Sequence, residues 1–389
     1  MRLSIEKKDL ITHIQHLATI VPAKNTSPIL TNYLINVSQE TNSVRITASD
    51  LELTVVVEFP AAVSEGGTIA VSARHFNEII NFMPDAMVNL WRHEELLMIQ
   101  CGKVDFNLLI ADHTLFPVIP ETKLENAISL DAALFNRMIS KTHFAVSVDV
   151  NRAVLTGVCW KIFPDHHLMA ATDGRKVSEI KILDSMLMPP QDPTESVEEN
   201  IFTDQQQSYI EKVIPVKTLL FLQKIYDPEY KEMNVSIGRN KMMFSYGKYF
   251  VFSQVIEHKY PEYQKAFPLD LPNKFVIDRE ALRTAIRRVA LVAPDDNLRI
   301  RFELDNDRFE VNTSNRDTGD GKQNMDNYNY EGGSTGVSFN YKYMLSILEA
   351  VDSDKAIIKL GSSKDPMMIF NESAIPGQEI TFLLMPLRS

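Results

Sequence analysis

One pattern occurs three times along the chain, and it limits the possible fold more than any other feature of the sequence. Near the N-terminus a short alternating strand leads into a helix whose apolar face is formed by Leu10, Ile14 and Leu17. The same strand and helix return in the segments SLDAALFNRMISKTHFAVS and VIDREALRTAIRRVALVAP. Repeats of this length correspond to whole domains, so the sequence predicts three copies of one folding unit.

Each copy also contains a second, later helix, in the segments VSARHFNEIINFMP, IPVKTLLFLQKIYD and SFNYKYMLSILEAVD. Between the two helices, runs of β-branched and aromatic residues close on small polar turns at Asp50, Asp173 and Asn315. The predicted fold class is therefore α+β with antiparallel sheets. Because Asp173 has a counterpart in every copy, its ATDGR segment is interpreted as turn chemistry rather than as a catalytic motif.

The repeats place domain boundaries near Glu125 and Pro268. Three domains are expected, covering residues 1–125, 126–268 and 269–389. The second domain includes a Pro- and acid-rich segment, residues 188–200, which is interpreted as a solvated loop.

Composition excludes several classes of protein. The N-terminus lacks the apolar stretch of a signal peptide, and no segment approaches the roughly 18 apolar residues of a membrane span, so a cytoplasmic protein is expected. Cys101 and Cys159 are too few and too far apart for a disulfide framework or a zinc site. His13 and His16, like the pair at residues 166–167, are interpreted as surface or packing side chains rather than metal ligands.

The net charge of −11 argues against a protein that grips DNA over its whole surface, but not against one that confines its basic groups to a single face. Arg279, Arg283 and Arg287 recur at i, i+4 and i+8, opposite the apolar face of their helix. A solvated helix face is the simpler interpretation of one such stripe. Weaker stripes on the equivalent helices of the other copies favour a shared basic surface.

Several segments, in their order and spacing, resemble the bacterial DNA sliding clamps: MRLSIEKKDL, SPILTNYLI, VSARHF, ATDGRKV, YPEYQ and the terminal FLLMPLRS. The resemblance covers Met1 to Ser389. It implies three clamp domains per chain and two chains closing head to tail into a ring, with sheets outside and two helices per domain facing a central channel. Such a ring encircles duplex DNA and keeps the polymerase attached to its template, so no catalysis, cofactor or metal is expected.

The resemblance also implies three sets of functional residues. The positions expected to contact DNA, without sequence preference, are Lys24, Arg74, Arg137, Lys141, Arg152, Lys217, Arg279, Arg283 and Arg287. Those expected to form a groove for partner peptides between domains two and three are Leu155, Thr172, Gly174, Arg175, Lys176, Val177, Pro261, Lys265, Ala266, Leu383, Leu384, Met385, Pro386, Leu387 and Arg388. Those expected at the dimer interface are Arg74, Lys103, Phe106, Leu108, Leu291 and Val292.

The expected partners are a second copy of the chain, double-stranded DNA, the catalytic subunit of the replicative polymerase, the clamp loader, and other polymerases and repair proteins that carry clamp-binding peptides. No membrane partner is expected. The alternative is a triplicated enzyme or small-molecule binding protein with a site between domains. It lacks support from the common catalytic signatures, since the sequence contains no phosphate-binding P-loop, no G-x-S-x-G and no H-E-x-x-H motif.

Overall fold

The computed structural model of the chain describes residues 1–23, 27–120, 127–187, 209–294, 296, 298–305 and 307–387. Four predictions concern positions outside these described residues: the loop at 188–200, the boundary at Glu125, and the roles of Lys24 and Arg388. In the part of the chain that is described, no helix is both long and apolar enough to cross a membrane.

The first repeat begins with a strand and a helix, as predicted, and places its second helix after an antiparallel meander. Its elements are β1 (Arg2–Glu6), α1 (Lys7–Leu17), β2 (Asn32–Ser38), β3 (Ser43–Ser49), β4 (Leu53–Pro60), β5 (Ala62–Glu65), β6 (Gly67–Ser72), α2 (Ala73–Phe82), β7 (Met87–His93), β8 (Leu96–Cys101) and β9 (Val104–Ala111).

In the second repeat the described elements follow the same order and include a single helical turn, α4. Its elements are β10 (Ala127–Asp131), α3 (Ala132–Thr142), β11 (Gly157–Ile162), β12 (His166–Thr172), β13 (Lys176–Leu183), α4 (Asp184–Leu187), β14 (Ile210–Pro215), α5 (Val216–Lys224), β15 (Glu232–Ile237), β16 (Lys241–Tyr246) and β17 (Tyr249–Gln254).

The third repeat contains a short strand, β22, that is equivalent to β5. Its elements are β18 (Asn273–Asp278), α6 (Arg279–Val289), β19 (Arg299–Leu304), β20 (Phe309–Asn315), β21 (Gly319–Asn324), β22 (Tyr328–Glu331), β23 (Thr335–Asn340), α7 (Tyr341–Ala350), β24 (Lys355–Leu360), β25 (Met367–Asn371) and β26 (Gln378–Leu384).

Strand pairing repeats with the elements. In the first repeat β3 lies between β2 and β4, β2 also pairs with β6, and β1, β7, β8 and β9 pair in succession. The corresponding strands of the second repeat pair in the same way, and so do those of the third. All these pairings are antiparallel, which confirms the predicted α+β class.

Sheets continue from one repeat into the next through two joints of the same kind. The fourth strand of repeat one, β4, pairs with the last strand of repeat two, β17. Likewise β13 of repeat two pairs with β26 of repeat three. Each joint therefore extends a sheet beyond the repeat in which it starts, which the apolar pattern of a single repeat does not predict.

Because of these joints, the chain divides into two compact units that do not follow the three repeats. Unit 1 comprises residues 1–133 and 217–255, and unit 2 comprises residues 134–216 and 256–389. Unit 1 contains a 13-stranded sheet in the order β10-β15-β16-β17-β4-β3-β2-β6-β9-β8-β7-β1-β5. Unit 2 contains a nine-stranded sheet, β14-β11-β12-β13-β26-β25-β24-β18-β22, and a four-stranded sheet, β21-β20-β19-β23.

The first helix of each repeat packs through its predicted apolar face. In α6, Leu282, Ile286 and Val289 are buried, and each full burial of such a side chain stabilises the fold by roughly 1.5–3 kcal/mol. Asp278 caps the N-terminus of α6 by accepting a hydrogen bond from Ala281 N at 2.7 Å. This packing fixes which face of α6 carries the arginines.

Candidate functional site

The predicted partner groove surrounds the joint between β13 and β26, within unit 2. Val177 on β13 pairs with Leu383 on β26, and Met368 on β25 pairs with Leu383 from the other side. The buried apolar side chains that pack together here are Leu155, Cys159, Ala170, Val177, Val213, Tyr260, Tyr263, Met368 and Leu383. The structure thus brings together Leu155, Val177 and Leu383, which come from three distant segments of the predicted set.

One wall of the groove is the turn at residues 172–176. The Asp173 carboxylate accepts hydrogen bonds from Arg175 N at 2.8 Å and Lys176 N at 3.0 Å. Gly174 adopts φ +86°, a left-handed conformation that favours glycine. The Thr172 hydroxyl donates to Lys176 O at 2.7 Å and accepts from Gly174 N at 3.0 Å. The Asp173 side chain therefore stabilises a turn, as predicted.

A second wall is the segment that follows β17, which contains the predicted Pro261, Lys265 and Ala266. Tyr260 OH accepts a hydrogen bond from Thr172 N at 3.0 Å, which attaches this segment to the turn.

Beneath that wall, Tyr263 OH donates a hydrogen bond to the Glu179 carboxylate. Burial raises the pKa of Glu179, although the hydrogen bond from Tyr263 opposes this effect. Burial also raises the pKa of Tyr263, and the neighbouring Glu179 adds to the increase. Tyr263 and Glu179 therefore form one polar pair beneath the apolar groove floor.

The C-terminal segment forms a third wall. Leu383 and Leu384 are buried in β26, whereas the Met385 side chain lies at the surface with 36% exposure. Beyond the strand, Met385 N donates to Arg175 O at 2.8 Å and Leu387 N donates to Ser338 O at 2.7 Å. Pro386 lies between these two anchored residues. The terminal segment is thus held against both the Asp173 turn and strand β23 of repeat three.

Basic side chains surround the groove. Arg152, which was expected to contact DNA, donates a hydrogen bond to Asp173 O at 2.7 Å and therefore lies at the groove rim. Lys176 is largely buried, with its ammonium 3.2 Å from the Asp173 carboxylate and 4.1 Å from the centre of the Tyr343 ring. Arg175 remains exposed. The groove therefore combines an apolar floor with a cationic rim.

The basic stripe on α6 is only partly open to solvent. Arg287 is exposed. Arg279 donates a hydrogen bond to Val351 O at 2.6 Å, and Arg283 donates to the Glu280 carboxylate at 2.6 Å. Because two of the three guanidinium groups are engaged within unit 2, Arg287 is the member of the stripe most accessible to a ligand.

Arg137 and Lys141 on α3 are similarly engaged. Their side chains are 24% and 9% exposed, and both pair with Asp352, at 2.6 and 2.5 Å respectively. Lys141 also donates to Ala350 O at 2.6 Å, at the end of α7. These two residues connect the first helix of repeat two to the second helix of repeat three. Their contribution to DNA contact stays a prediction.

The remaining basic residues of the predicted DNA surface begin the second helices of repeats one and two. Arg74 on α2 is 81% exposed and pairs with Glu78 at 3.0 Å. Lys217 on α5 pairs with Asp50 and lies 3.6 Å from the Glu52 carboxylate. These are ion pairs at the protein surface, which solvent screens and a phosphate can displace.

Four of the predicted dimer residues lie on or beside two strands: Phe106 and Leu108 are on β9, and Leu291 and Val292 lie in a helical turn beside β21. Phe106 is 45% exposed on β9. This strand pairs with β6 only through its last two residues, so within the described part of the chain the segment 104–109 is bonded on one side alone. Leu291, 84% exposed, follows α6, and the neighbouring Val292 contacts Gly321 of the edge strand β21.

Sequence reasoning missed several residues at these sites. Tyr260, Tyr263 and Met368 belong to the groove floor, but only Pro261 was taken from the YPEY motif. At the β9 edge, Leu109 is 75% exposed, and Phe82 at the end of α2 is 86% exposed. The exposure of Leu109 on a strand and of Phe82 at a helix end depends on which elements pack beside them, and the apolar pattern alone does not reveal it.

Comparisons with known proteins agree with this geometry. Residues 1–120 match the DNA polymerase III beta subunit, N-terminal domain; residues 196–262 match its central domain; and residues 264–388 match its C-terminal domain. The beta sliding clamp of Staphylococcus aureus is 28% identical over 399 residues, and that of Staphylococcus epidermidis is 27% identical over the same length. Both alignments cover 100% of this chain and of the relative.

Solved structures extend the comparison. The DNA polymerase sliding clamp from Bacillus subtilis superposes with a TM-score of 0.88 at 26% identity, over 100% of this chain and 99% of that one. The sliding clamp from Bartonella birtlesii superposes with a TM-score of 0.89 at 23% identity, over 100% of both chains, and so shares the fold.

The three repeats and the matched domains define a non-catalytic DNA clamp rather than an enzyme. The chain belongs to the DNA polymerase III beta subunit family, the bacterial sliding clamps. Its function is that of a processivity factor for this polymerase.

Proposed function

We propose that two copies of the chain close head to tail into a ring around duplex DNA. The observation that carries this proposal is the repeated joint between repeats. Within one chain the joint occurs twice, as β4 with β17 and as β13 with β26. Among the described residues, the equivalent strands that form no such joint are β21 of repeat three and β9 of repeat one. A second copy supplies the missing partner for each.

The chemistry of the two free edges supports this pairing. The β9 edge carries the exposed Phe106, and the β21 edge lies beside Leu291 and Val292. Burying such apolar side chains together favours association, while unpaired backbone groups gain hydrogen bonds. Arg74 and Lys103 near the first edge complement the acidic residues around β21, namely Asp317, Asp320 and Asp326. Each contact joins different edges of the two chains and is heterologous, and two such contacts close the ring.

Retention on DNA then follows from topology rather than from affinity. A closed ring cannot leave duplex DNA sideways, and contacts to phosphates carry no sequence information, so the ring slides. In this proposal Arg287 and the other basic residues of the predicted DNA surface provide a weak, salt-dependent attraction. A strongly basic protein is not required, which agrees with the net charge of −11.

The groove in unit 2 is the proposed site for the polymerase catalytic subunit, the clamp loader, and the other polymerases and repair proteins. Its floor can receive large apolar side chains, and its rim of Arg152 and Arg175 favours an acidic residue beside them. Because Met385 has a flexible side chain at the surface, the groove can adapt to more than one peptide. We place this activity in the cytoplasm, where Cys101 and Cys159 stay reduced.

The decisive experiment compares circular with linear DNA. The protein is loaded onto nicked circular duplex by a clamp loader with ATP, and retention is measured by gel filtration before and after the circle is cut. We expect stable retention on the circle and rapid loss from the linear form. Equal retention on both forms would show binding by affinity and contradict the ring.

A matched pair of variants tests the channel surface in the same assay. Arg287 and Arg288 are adjacent, exposed residues of α6, but only Arg287 belongs to the stripe. Arg287→Glu is expected to reduce loading, since the stripe then repels phosphate, whereas Arg288→Glu is expected to reduce it less. Equal effects of the two variants would remove Arg287 from the proposed DNA surface.

A further inference from the structure

A second cleft lies in unit 1, at the joint between β4 and β17. Its volume is about 370 Å³, enough for one or two large side chains. Its lining includes Leu51, Glu52, Thr54, Val118, Met243 and Phe252. We call it the unit 1 cleft, and none of its lining residues is among those predicted for partner binding.

The turn beside the unit 1 cleft has the same construction as the Asp173 turn of the groove. The Asp50 carboxylate accepts hydrogen bonds from Glu52 N at 3.1 Å and Leu53 N at 2.9 Å. In the groove the same two bonds come from the residues two and three positions after Asp173. Asp50 therefore corresponds to Asp173, and each following residue has a counterpart.

Strand register extends this correspondence across the joint. Thr54 pairs with Phe252, as Val177 pairs with Leu383. Phe252 also pairs with Met243, as Leu383 pairs with Met368. The resulting equivalences are Ser49 with Thr172, Leu51 with Gly174, Glu52 with Arg175, Thr54 with Val177, Phe252 with Leu383, Ser253 with Leu384, Gln254 with Met385 and Met243 with Met368. At this turn and across these strands, the unit 1 cleft thus corresponds to the partner groove.

Leu51 is the position at which the shared turn differs most between the two sites. It adopts φ +79°, close to the +86° of Gly174, although a leucine pays a steric penalty in the left-handed region. Its side chain is 53% exposed, at the edge of the cleft. The turn therefore places an exposed apolar side chain beside the cleft where the groove has a glycine.

The chemistry of the unit 1 cleft differs from that of the groove in two respects. Its walls are more polar, because Thr54 and Gln254 occupy the positions of a valine and a methionine. Its rim carries the carboxylate of Glu52, 74% exposed, where the groove has the exposed Arg175. The Lys217 ammonium lies 3.6 Å from that carboxylate, and Lys241 lies elsewhere on the lining. The preferred charge of a peptide beside Glu52 is therefore reversed.

We propose that the unit 1 cleft is a second peptide-binding site, whose ligand is a short extended segment of a partner protein with a lysine or arginine beside a large apolar side chain. The apolar side chain lies against Met243, Phe252 and the 97% exposed Val118, and the cation faces Glu52. The inference rests on the proposed role of the groove, since the two sites share one construction. A ring of two chains would thus offer two kinds of docking site with opposite charge preference.

Methionine methyl NMR on the full-length protein tests both sites in one spectrum. The probes are two acetylated pentapeptides, Ala-Lys-Leu-Phe-Ala and Ala-Glu-Leu-Phe-Ala, each with an amidated C-terminus. Signals of Met242 and Met243 report on the unit 1 cleft, and those of Met368 and Met385 report on the groove. We expect the lysine peptide to shift the first pair and the glutamate peptide to shift the second.

Variants at exposed positions separate binding from folding. Val118→Asp is expected to weaken the lysine peptide at least tenfold, whereas Val148→Asp, at an equally exposed valine outside the cleft, is expected to leave binding unchanged. Glu52→Lys is expected to weaken the lysine peptide up to about fivefold, as for an exposed ion pair, and to favour the glutamate peptide.

The outcomes distinguish the two proposals. If only Met368 and Met385 respond, the unit 1 cleft is not a peptide site and the groove stands. If only Met242 and Met243 respond, the second site stands and the groove is contradicted. No response at either pair contradicts both. Shifts of Met242 and Met243 that persist in Val118→Asp would place the peptide outside the cleft and overturn the inference.

Discussion

The guanidinium of Arg137 and the carboxylate of Asp352 form a two-point ion pair, with N–O distances of 3.2 and 2.6 Å. Lys141 adds a third hydrogen bond to the same carboxylate, at 2.5 Å. Burial alone would raise the pKa of Asp352, but the hydrogen bonds from Arg137 and Lys141 outweigh it and hold this pKa below its ordinary value. Arg137 and Lys141, the basic residues of α3, therefore link repeat two to repeat three.

Asp352→Asn is expected to destabilise the protein by about 1–2 kcal/mol, because the largely buried Lys141 loses its charged partner. The cost is smaller than for a fully buried pair, since the Asp352 side chain is 27% exposed. Urea unfolding at pH 7 measures the change. Asp354→Asn, at an exposed aspartate two residues away, serves as the control. Equal midpoints for Asp352→Asn and the unmodified chain would contradict a stabilising role.

The lowered pKa of the Asp352 carboxylate also predicts how the stability of the protein depends on pH in acid. Its folded pKa is lower than the ordinary value of 3.8, so its contribution to stability is fully present above pH 3.8 and is lost as the pH falls through the folded value. Asp352→Asn should therefore converge with the unmodified protein in strong acid. A difference in unfolding free energy that stays constant from pH 7 down to complete acid unfolding would argue against this assignment.

Two histidines in unit 1 predict a second effect of pH, at milder acidity. His13 Nδ1 and His16 Nδ1 lie 2.6 and 2.7 Å from Tyr249 OH, and His13 stacks on Phe59. Burial, with smaller effects of Lys248 and His16, lowers the pKa of His13 from 6.5 to about 4. As the pH falls below 6.5 the unfolded chain takes up a proton that folded His13 does not, so stability decreases down to about pH 4.

His13→Gln removes this proton uptake. Between pH 6.5 and 4.5, the slope of the unfolding free energy against pH measures the protons taken up on unfolding. In His13→Gln this slope is expected to become shallower by an amount that corresponds to up to one proton. Urea unfolding at several pH values measures the slope, and His93→Gln, at an exposed histidine on β7, is the control. An unchanged slope in His13→Gln would mean that His13 titrates alike in the folded and unfolded chain.

The sequence predicted the repeated elements because their signals are local. Leu282, Ile286 and Val289 mark a buried helix face by spacing alone, and the structure confirms it. The paired acceptor role of Asp50 and Asp173 follows from turn chemistry in the same way.

The joints between repeats could not be predicted, because strand pairing is decided by which edges meet in three dimensions. The correspondence of Phe252 with Leu383 depends on the register of four strand pairings. Charge patterns were ambiguous for a related reason. The spacing of Arg137 and Lys141 placed them on one face of α3. It could not identify the Asp352 carboxylate that they bind, because Asp352 lies more than 200 residues later in the chain.

If β9 and β21 pair between two chains, a charged side chain introduced beside either strand should weaken the dimer. Leu291→Asp or Phe106→Asp is expected to raise the dimer dissociation constant by more than a hundredfold, since a carboxylate in a desolvated apolar contact costs about 3 kcal/mol. Folding should be preserved, because Leu291 is 84% exposed and Phe106 45% exposed in the single chain. Sedimentation velocity measures the association state. Leu269→Asp, at a leucine that is fully exposed, is the matched control. Unchanged dimers in both variants would place the interface elsewhere.

The C-terminal wall of the groove is separable from that interface, and its removal is the sharpest test of partner binding. Deleting residues 385–389 removes the exposed Met385 and the two backbone anchors to Arg175 O and Ser338 O, while β26 with Leu383 stays in its sheet. Each apolar side chain of a bound peptide would lose contacts worth roughly 1.5–3 kcal/mol, enough to take a micromolar peptide beyond detection.

Calorimetry with polymerase-derived peptides measures the loss, and circular dichroism and sedimentation show whether fold and dimer persist. Leu155→Ala and Val177→Ala, on the floor of the groove, are expected to weaken the same peptides by smaller steps. Both residues are buried, so the unfolding free energies of these variants must also be measured.

The deletion should leave β9 and β21 free to pair as before, because neither strand contacts the deleted segment through backbone pairing in the described residues. Unchanged peptide affinity in a truncated, dimeric protein would place the partner site outside this groove.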